Sequence, residues 1–446
     1  MIENINFYLT NFFTHRVLTW LREYRIFYIS QTIINYPKKS TFFNSFKEVT
    51  MRRISLFVLS VCFICFFTLV SFAQNTLKLG IPLPLTGTNA KFGEIEKKSY
   101  EIARDEINAK GGIKGMKVEL EFEDSQGKPE ISRSIVERLI DIKKQPVVFG
   151  EYSSSSSKAI AAVAEERKVP YLVVTGATDD ITQQKYKYVF RLNPTNAYYA
   201  TGFMSFLKEV VKPKSIAILY ESSDFGTSGA EDMVNQARKA GMKLLVKEQY
   251  EKGAVDFKPI LSKVKAAKPD VIYMVSYVMD AALLMRQIKE LRIDSNLYAG
   301  GAAGFAIPEF IDNAKEASDL VMTATLWSPQ VAYPGAKAFA EKYKRMYKDY
   351  PSYHGAEAYS ALYIIKDVLD RAKTWKSDDI RAAFKATNMM TAFGPIKFVD
   401  KEGYTNQNFM DTLVMQVIKG KHETIWPKKY ASAKYVYPIP KWKDRK

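Results

Sequence analysis

Residues 146–167 read PVVFGEYSSSSSKAIAAVAEER and carry a strong signal of secondary structure. The short apolar run Pro146–Gly150 is typical of a buried β-strand, and the alanine-rich segment Ala159–Arg167 has helical spacing. A second strand-like run follows at Tyr171–Val174. A strand, a helix and another strand in this order predict a parallel sheet that is covered by helices.

The same alternation runs through most of the chain. Further strands, rich in Val, Ile, Leu and Tyr, are predicted at Leu77–Pro82, Lys117–Phe122, Ser215–Tyr220, Met242–Tyr250 and Val271–Ser276. Apolar residues at helical spacing separate them, for example over Ala230–Ala240, Phe257–Ala266 and Ala281–Leu291. Nearly continuous apolar strands are expected where helices bury both faces of a sheet. The pattern therefore predicts an α/β protein with doubly wound parallel sheets.

These strands are too many for one ordinary sheet. The turn-forming residues Asn193–Asn196 mark a break, and a second strand–helix series begins at Ser215. Helices are then predicted at 337–348, 355–372 and 378–386, and hairpin strands near 395–399 and 413–418. This order fits two lobes between which the chain passes more than once.

The composition excludes several classes of protein. The chain has 446 residues, 47% of them apolar, which is enough to bury a core and excludes wholesale disorder. Two cysteines cannot form a disulfide scaffold, and three histidines leave little for a metal site. The formal net charge of +17 raises the question of nucleic acid, but no basic stripe or RNA-binding motif accompanies it. We therefore expect no nucleic-acid partner, no metal and no cofactor.

The N-terminal region is typical of a secretory signal. Residues 54–73 are uncharged and apolar, Met51-Arg52-Arg53 precede them, and Ser71-Phe72-Ala73 forms a small-x-small cleavage site. An uncleaved membrane anchor is the alternative. We interpret residues 1–50 as an extension from a start codon that is placed too early. Both cysteines, Cys62 and Cys65, lie in the signal, so the mature chain is expected to lack cysteine.

Two loops that follow predicted strands carry candidate binding residues. In open α/β sheets, ligands bind at the carboxyl ends of the strands. Five serines, Ser153–Ser157, precede a helix, and hydroxyls and free N–H groups at a helix N-terminus suit a carboxylate. Simple N-capping by one serine is the alternative. The second loop, Thr175–Asp180, offers a glycine for close approach and the hydroxyl of Thr178.

Enzyme motifs are mostly absent from the sequence: Ser155-Ser156-Ser157-Lys158 satisfies S-x-x-K, but its S-D-N and K-T-G partners are missing. The sequence contains no G-x-S-x-G, no P-loop and no H-E-x-x-H sequence. Outside the N-terminal region the histidines are His354 and His422, for which we expect a solvated or capping role. The chain is therefore predicted not to be an enzyme.

One family resemblance spans the predicted mature chain. Residues 79–87 (LGIPLPLTG), Phe92-Gly93 and residues 103–115 (ARDEINAKGGIKG) resemble the opening of the branched-chain amino-acid binding proteins of ABC transporters. Similar stretches follow at Gly150–Ser157, Thr175–Thr178, Asp224-Phe225-Gly226 and Gly394-Pro395. The resemblance implies the type I periplasmic binding fold, with two lobes joined by a three-segment hinge. It places one lobe at 74–194 plus 325–404 and the other at 195–324 plus 405–446.

The resemblance also implies a ligand site. In the family, a serine and a threonine of the two loops hold the ligand's carboxylate and amino group, and Ser154 and Thr178 stand at those positions. Phe92 lines the pocket in the first lobe, and the second lobe contributes Phe225 and Tyr277. The full predicted set of ligand-binding residues is Phe92, Tyr152, Ser153, Ser154, Gly176, Ala177, Thr178, Phe225, Tyr277, Gly301 and Tyr353.

This sequence departs from the family pattern at two places. Ser125 and Ser153 occupy the positions of a disulfide that many relatives carry. Gly301 stands where amino-acid binders place the carboxylate that pairs with the ligand ammonium. An unpaired buried ammonium is costly, so either Asp280, Glu221 or Glu151 replaces that acid, or the ligand lacks an α-ammonium.

We therefore predict a periplasmic solute-binding protein of an ABC importer. It would be a monomer that captures an amino acid, an aliphatic or aromatic acid, or an amide, and that delivers it to a membrane permease. The alternative is a ligand-sensing module of the same fold that signals to a membrane receptor.

Overall fold

A computed structural model describes residues 75–445. The predicted extension 1–50, the signal 51–73 and both cysteines lie outside the described residues. The described residues belong to one compact unit. Within the described part, we find no helix with the length and apolar character needed to span a membrane.

The first sheet has five parallel strands at its centre. They are β1 (Thr76–Leu83), β2 (Lys117–Asp124), β3 (Val148–Gly150), β4 (Tyr171–Val173) and β5 (Val189–Arg191). β1 pairs with β2, and β3, β4 and β5 pair in sequence. β1 lies beside β3, because the N–H of Glu151 donates to the carbonyl of Pro82 at 2.9 Å. The strand order is therefore β2-β1-β3-β4-β5, with a topological switch point between β1 and β3.

Helices cover both faces of this sheet. They include α1 (Ala90–Ala109), α2 (Pro129–Asp141), α3 (Ser154–Glu166) and α4 (Asp180–Gln183). Neighbouring residues of one strand enter different cores: Phe149 and Leu172 belong to one cluster, and Val148 and Tyr171 to the other. This arrangement buries the strands on both sides and explains why they are apolar without alternation.

The second sheet repeats the same order. Its elements are α5 (Asn196–Phe206), β6 (Ser215–Glu221), α6 (Asp224–Lys239), β7 (Lys243–Tyr250), α7 (Lys258–Ala267), β8 (Val271–Val275), α8 (Val278–Glu290), β9 (Leu297–Gly300), α9 (Pro308–Ala314) and β10 (Met322–Thr325). The parallel strands run β7-β6-β8-β9-β10. A switch point therefore lies between β6 and β8, and the loops that follow these two strands open at the same edge.

The last part of the chain returns to both sheets. It contains α10 (Ala336–Tyr347), α11 (Tyr353–Arg371), α12 (Ser377–Lys385), β11 (Asn388–Met390), β12 (Pro395–Lys397), β13 (Val399–Lys401), β14 (Tyr404–Gln407), β15 (Leu413–Ile418) and β16 (Lys421–Trp426). α11 packs along α1, and β14 pairs with β5. β15 joins the second sheet antiparallel to β10. The chain thus changes sheet three times, after β5, β10 and β14.

A buried arginine holds one of these passages to the first sheet. Arg191, at the end of β5, donates to the side chain of Gln407 at 2.6 Å, to the carbonyl of Thr178 at 2.5 Å and to the hydroxyl of Thr182 at 2.6 Å. Burial lowers the pKa of its guanidinium to about 10, which leaves it charged at neutral pH. Its hydrogen bonds therefore fix the second candidate loop against β14.

The α/β prediction is confirmed, and all seven predicted strands of the two parallel sheets are present. The helices predicted after 336 and the strands near 395 and 413 are also present. Three short parallel strands, β5, β9 and β10, were not predicted, and neither were β11, β14 and β16. The lobe boundaries stay a prediction.

Candidate functional site

The two candidate loops meet at the carboxyl ends of β3 and β4. The hydroxyl of Ser154 accepts the backbone N–H groups of Ala177 and Thr178, at 3.1 and 3.2 Å. The neighbouring Ser153 is the N-cap of α3, because its hydroxyl accepts the N–H of Ser156 at 3.2 Å. One serine therefore caps the helix, as the simpler alternative expected, and the next one joins the loops.

Close packing of the loops requires a glycine at position 176. A Cβ atom on Gly176 would lie 2.7 Å from the side chain of Ser157. The hydroxyls of Ser156 and Ser157 are buried and have no hydrogen-bond partner within the described residues. Neither of these two serines lines the cleft, where Ser154 is the serine of this turn that does.

The two threonine hydroxyls of the second loop have different hydrogen-bond partners. The hydroxyl of Thr178 donates to the carboxylate of Asp180 at 3.2 Å. The hydroxyl of Thr175 lies within 3.1 Å of three acceptors, which are a carboxyl oxygen of Glu96 and the carbonyls of Glu151 and Tyr152. One hydroxyl has one proton to donate, so Thr175 can donate to only one of these three acceptors at a time.

Aromatic side chains from both sheets form the walls of the cleft. Phe92 stacks on Tyr152 with ring centroids 4.2 Å apart and planes inclined by 9°. Phe225, near the start of α6, stacks on Tyr277, which precedes α8, at 5.3 Å. The rings of Tyr152 and Tyr277 are 5.7 Å apart. The two aromatic pairs thus face each other, one from each sheet.

His354 lies among these rings, which contradicts the expected solvated or capping role. Its ring centroid is 5.0 Å from that of Phe92, 5.2 Å from Tyr152 and 3.8 Å from Tyr353. Burial lowers its pKa to about 3, so the imidazole is neutral at physiological pH. The side chain therefore contributes an uncharged polar ring to the cleft.

The cleft is lined by uncharged side chains. The described residues around it are Tyr152, Ser154, Thr175, Ala177, Tyr199, Phe225, Tyr277, Ala303, Tyr353 and His354. The hydroxyl of Tyr353 accepts the N–H of Ala303 at 3.1 Å and so joins α11 to the second sheet. The space left between the side chains is about 10 Å³, enough for no more than one water molecule. An organic solute therefore requires the walls to move apart.

The predicted residues occupy three kinds of position. Tyr152, Ser154, Ala177, Phe225, Tyr277 and Tyr353 line the cleft. Phe92 contacts it through its stack on Tyr152, whereas Ser153, Gly176 and Thr178 support the loops behind it. Gly301 packs elsewhere: a Cβ there would lie 2.8 Å from the hydroxyl oxygen of Tyr273 and 3.3 Å from Val275. Tyr273 therefore occupies the space that an acidic side chain would need.

The three acids considered as replacements are buried rather than at the surface. Glu151 lies beside the hydroxyl of Ser132 at 3.3 Å, Glu221 accepts the N–H of Ser223 at 3.1 Å, and Asp280 accepts the N–H of Gly253 at 3.0 Å. Burial raises the pKa of each carboxyl. None of the three lines the cleft.

Two further buried acids, Glu96 and Glu357, were not predicted. Each lies one helical turn beyond a cleft residue, Glu96 after Phe92 on α1 and Glu357 after Tyr353 on α11. Both are fully buried, and neither carboxylate oxygen of Glu357 has a hydrogen-bond partner in the described chain. Burial, and for each a neighbouring carboxyl, hold the pKa of both groups well above its usual range. Helical spacing from an aromatic cleft residue was the signal that could have revealed them.

Ion pairs connect the two sheets at the edges of the cleft. Lys91, on α1, pairs with Glu309 on α9 at 2.6 Å. Lys158, on α3, contacts Asp180 at 2.5 Å and Asp224 of α6 at 3.3 Å. The Lys91–Glu309 and Lys158–Asp224 contacts cross from elements of the first sheet to elements of the second, so they stabilise the arrangement in which the walls meet.

Comparisons with known proteins agree with this fold. The sequence profile of a family described as periplasmic binding protein matches residues 76–422. A Leu/Ile/Val-binding protein homolog 8 of Brucella melitensis is 30% identical over 381 residues, which cover 82% of this chain and 94% of that protein. The chain belongs to the branched-chain amino-acid periplasmic binding protein family.

Solved structures support the same assignment. A leucine-binding protein of Thermotoga maritima superposes with a TM-score of 0.73 at 26% identity, covering 78% of this chain and 98% of that one. A branched-chain amino-acid transporter substrate-binding protein of Streptococcus pneumoniae, solved with isoleucine, gives a TM-score of 0.71 at 25% identity, covering 79% and 100%. Members of this family work outside the cytoplasm with ABC transporters.

Proposed function

We propose that this protein captures a small carboxylate-bearing solute whose remaining body is uncharged, and delivers it to the permease of an ABC importer. The observation that carries the proposal is the lining of the cleft, in which hydroxyls and aromatic rings are present and ionised side chains are absent from the described residues. Among such solutes, we favour an aliphatic or aromatic acid without an α-ammonium group as the ligand.

The carboxylate end would bind at the serine loop. The N-terminus of α3 carries a partial positive charge, and Ser154 supplies a hydroxyl at its first turn. Such donors suit an anion and need no charged side chain.

The body of the solute would lie between the aromatic pairs. Phe92 with Tyr152 and Phe225 with Tyr277 present apolar faces from opposite sides. Aromatic faces favour apolar and aromatic groups over charged anions or strongly hydrated groups. With Tyr273 against Gly301, an ammonium group would find no carboxylate at the family position.

Calorimetry with three matched compounds tests this assignment. Isocaproate is leucine without the amino group, and isocaproamide lacks the carboxylate charge as well. We expect isocaproate to bind at least about tenfold more tightly than either leucine or isocaproamide, a difference of about 1.4 kcal/mol. Tighter binding of leucine would contradict the absence of an ammonium site, and equal binding of the amide would contradict the anion site.

Transport would rely on opening and closing of the two lobes predicted at 74–194 plus 325–404 and at 195–324 plus 405–446. The three passages between the sheets would serve as the hinge, and a solute that contacts both walls would favour the closed state. We propose a periplasmic location reached through the predicted signal, and action as a monomer. The ligand-sensing role stays the alternative, and loss of solute uptake after deletion of the gene would separate transport from sensing.

A further inference from the structure

A second cavity lies beside the cleft and has a volume of about 500 Å³. Its walls come from the end of α10, from the segment that follows β10, and from the turn between β15 and β16. Tyr353 lines both this side cavity and the cleft. The volume lies in the range of sites that bind small organic molecules.

An aromatic ring and a hydroxyl group without a hydrogen-bond partner in the described chain lie side by side on the floor of the side cavity. Trp327 is 1% exposed, and its indole N–H donates to the carbonyl of Ala392 at 2.9 Å, which fixes the ring. The adjacent Ser328 is 2% exposed and also lines the cavity. Its hydroxyl has no hydrogen-bond partner among the described residues. A buried hydroxyl without a partner is costly, so a partner supplied by a ligand is the simplest physical reason for it.

The rim of the side cavity is positively charged. Lys344, Lys348 and Lys421 line it, and none of them forms an ion pair with a carboxylate in the described part of the chain. Lys344 instead donates to the hydroxyl of Tyr350 at 2.9 Å. Against these three lysines stand the two acids Asp349 and Glu423, so the formal charges at the mouth of the cavity leave a small positive excess.

The two acids at the rim, Asp349 and Glu423, each accept a hydrogen bond from a neighbouring group. Asp349 accepts the N–H of Tyr350 at 2.7 Å, and Glu423 accepts the hydroxyl of Ser432 at 2.5 Å. His422 donates from Nε2 to the carbonyl of Phe305 at 2.8 Å, because a carbonyl can only accept. Burial lowers the pKa of His422 to about 4, so its imidazole is neutral at physiological pH and Nδ1 remains an acceptor.

From these observations we propose that the side cavity is a second binding site, separate from the cleft, for a small anion with an apolar or aromatic body. The lysines would attract the anionic group, the hydroxyl of Ser328 would donate to it after a rotation of its side chain, and Trp327 would contact the body. Phenylphosphonate has this chemistry, whereas benzyl alcohol has a similar body without the charge.

Calorimetric titration with phenylphosphonate tests the site. We expect one equivalent to bind to the parent protein, with benzyl alcohol and inorganic phosphate each binding about tenfold more weakly. Ser328→Ala and Lys421→Gln should each weaken phenylphosphonate binding about fivefold to tenfold, because each removes one interaction with the anion. Lys434→Gln, which changes an exposed lysine outside the cavity, is the matched control and should bind like the parent.

Thermal unfolding separates binding from folding. The hydroxyl of Ser328 has no partner in the described chain, so Ser328→Ala should unfold at the same temperature as the parent or a higher one. Three results would overturn the proposal: no binding of phenylphosphonate, parent-like binding by both Ser328→Ala and Lys421→Gln, or loss of binding in Ser154→Ala alone. The last result would place the anion in the cleft.

Discussion

The hydroxyl of Ser154 is a small group with two tasks, since it joins the two loops and faces the cleft. Replacement by alanine leaves the N–H groups of Ala177 and Thr178 without their acceptor. We expect Ser154→Ala to lower the free energy of unfolding by about 1–3 kcal/mol and to weaken solute binding by about tenfold or more. Urea unfolding and calorimetry measure the two effects.

Ser155→Ala is the control for that change. Ser155 is the next residue of the same turn and is partly exposed. The control should bind solute like the parent. If Ser154→Ala also binds like the parent, the serine loop is not the anion site.

The buried acid Glu357 predicts a particular pH dependence of stability. Its pKa is raised in the folded protein, chiefly by burial, so the folded state binds more protons than the unfolded state above the ordinary pKa of 4.5. Stability of the parent therefore falls as pH rises from about 4.5 toward the folded pKa, by up to about 1.4 kcal/mol per pH unit for this group. Glu357→Gln mimics the protonated acid and removes this loss.

Urea unfolding of the parent and of Glu357→Gln between pH 5 and pH 8 measures this effect. The stability of the variant relative to the parent should increase steadily with pH. The exposed Glu402→Gln change serves as the control and should show no such trend. A constant difference between the parent and Glu357→Gln across this range would mean that the carboxyl does not hold its proton in the folded state.

At the residue scale, the sequence located a side chain in the fold where a backbone pattern fixed its position. Ser154 and Ala177 follow recognisable strands, and their loops must meet at one sheet edge. His354 and Glu357 were missed because they belong to a largely buried helix, α11, whose face toward the cleft depends on packing against α1. Sequence alone also could not separate Ser153 from Ser154, because both suit an N-cap and the helix start selects one of them.

At the scale of elements, the buried side chain of Arg191 connects strand β5 to its neighbours through hydrogen bonds. Arg191→Met removes the guanidinium that reaches the Thr178 carbonyl, Thr182 and Gln407. We expect it to lower the free energy of unfolding by about 3–5 kcal/mol, because several buried polar groups lose their partner. Urea unfolding measures the change.

Arg133→Met is the matched control for that prediction. The side chain of Arg133 is 53% exposed, and it pairs with Glu137 on its own helix. The control should change stability by less than about 1 kcal/mol. Equal losses in both variants would mean that the buried network does not fix β5.

The predicted and missed elements differ in composition more than in length. Apolar runs were recognised from sequence whether the strand is long, as in β6 and β8, or has only three residues, as in β3 and β4. β5 and β9 have three and four residues and include Arg191 and Ala299-Gly300, so only a short apolar run marks them. Their strand geometry comes from pairing with neighbours that are distant in sequence.

At the scale of the whole molecule, two groups of ion pairs hold the walls of the cleft together. The double change Lys91→Met with Lys158→Met removes the contacts to Glu309 and Asp224. Partly exposed pairs contribute about 0.2–1 kcal/mol each, so we expect solute binding to weaken about threefold to tenfold. Calorimetry at low and at high salt measures the effect.

The salt series also provides the control. Binding by the parent should weaken as salt increases, because screening acts on exposed charges, and the double variant should lose most of this dependence. Lys337→Met changes a lysine whose side chain is 83% exposed and should retain the full dependence. A double variant that keeps the parent's salt dependence would exclude these pairs as closing contacts.

The two-sheet architecture was predictable because it rests on local alternation of strand and helix, repeated along the chain. The side cavity and the closed walls were not, since they depend on how the two parts of the chain meet. The contact of Tyr353 with Ala303 joins residues 50 positions apart in sequence and has no local pattern that marks it.

The packing of Tyr273 against Gly301 has a consequence for how ligand preference evolves in this chain. An acid introduced at position 301 alone would collide with the tyrosine hydroxyl, so that substitution should destabilise the protein before it improves recognition of an amino group. A smaller residue at position 273 would have to come first or together with it. The two positions are therefore expected to be epistatic, because an acid at position 301 fits only beside a smaller side chain at position 273.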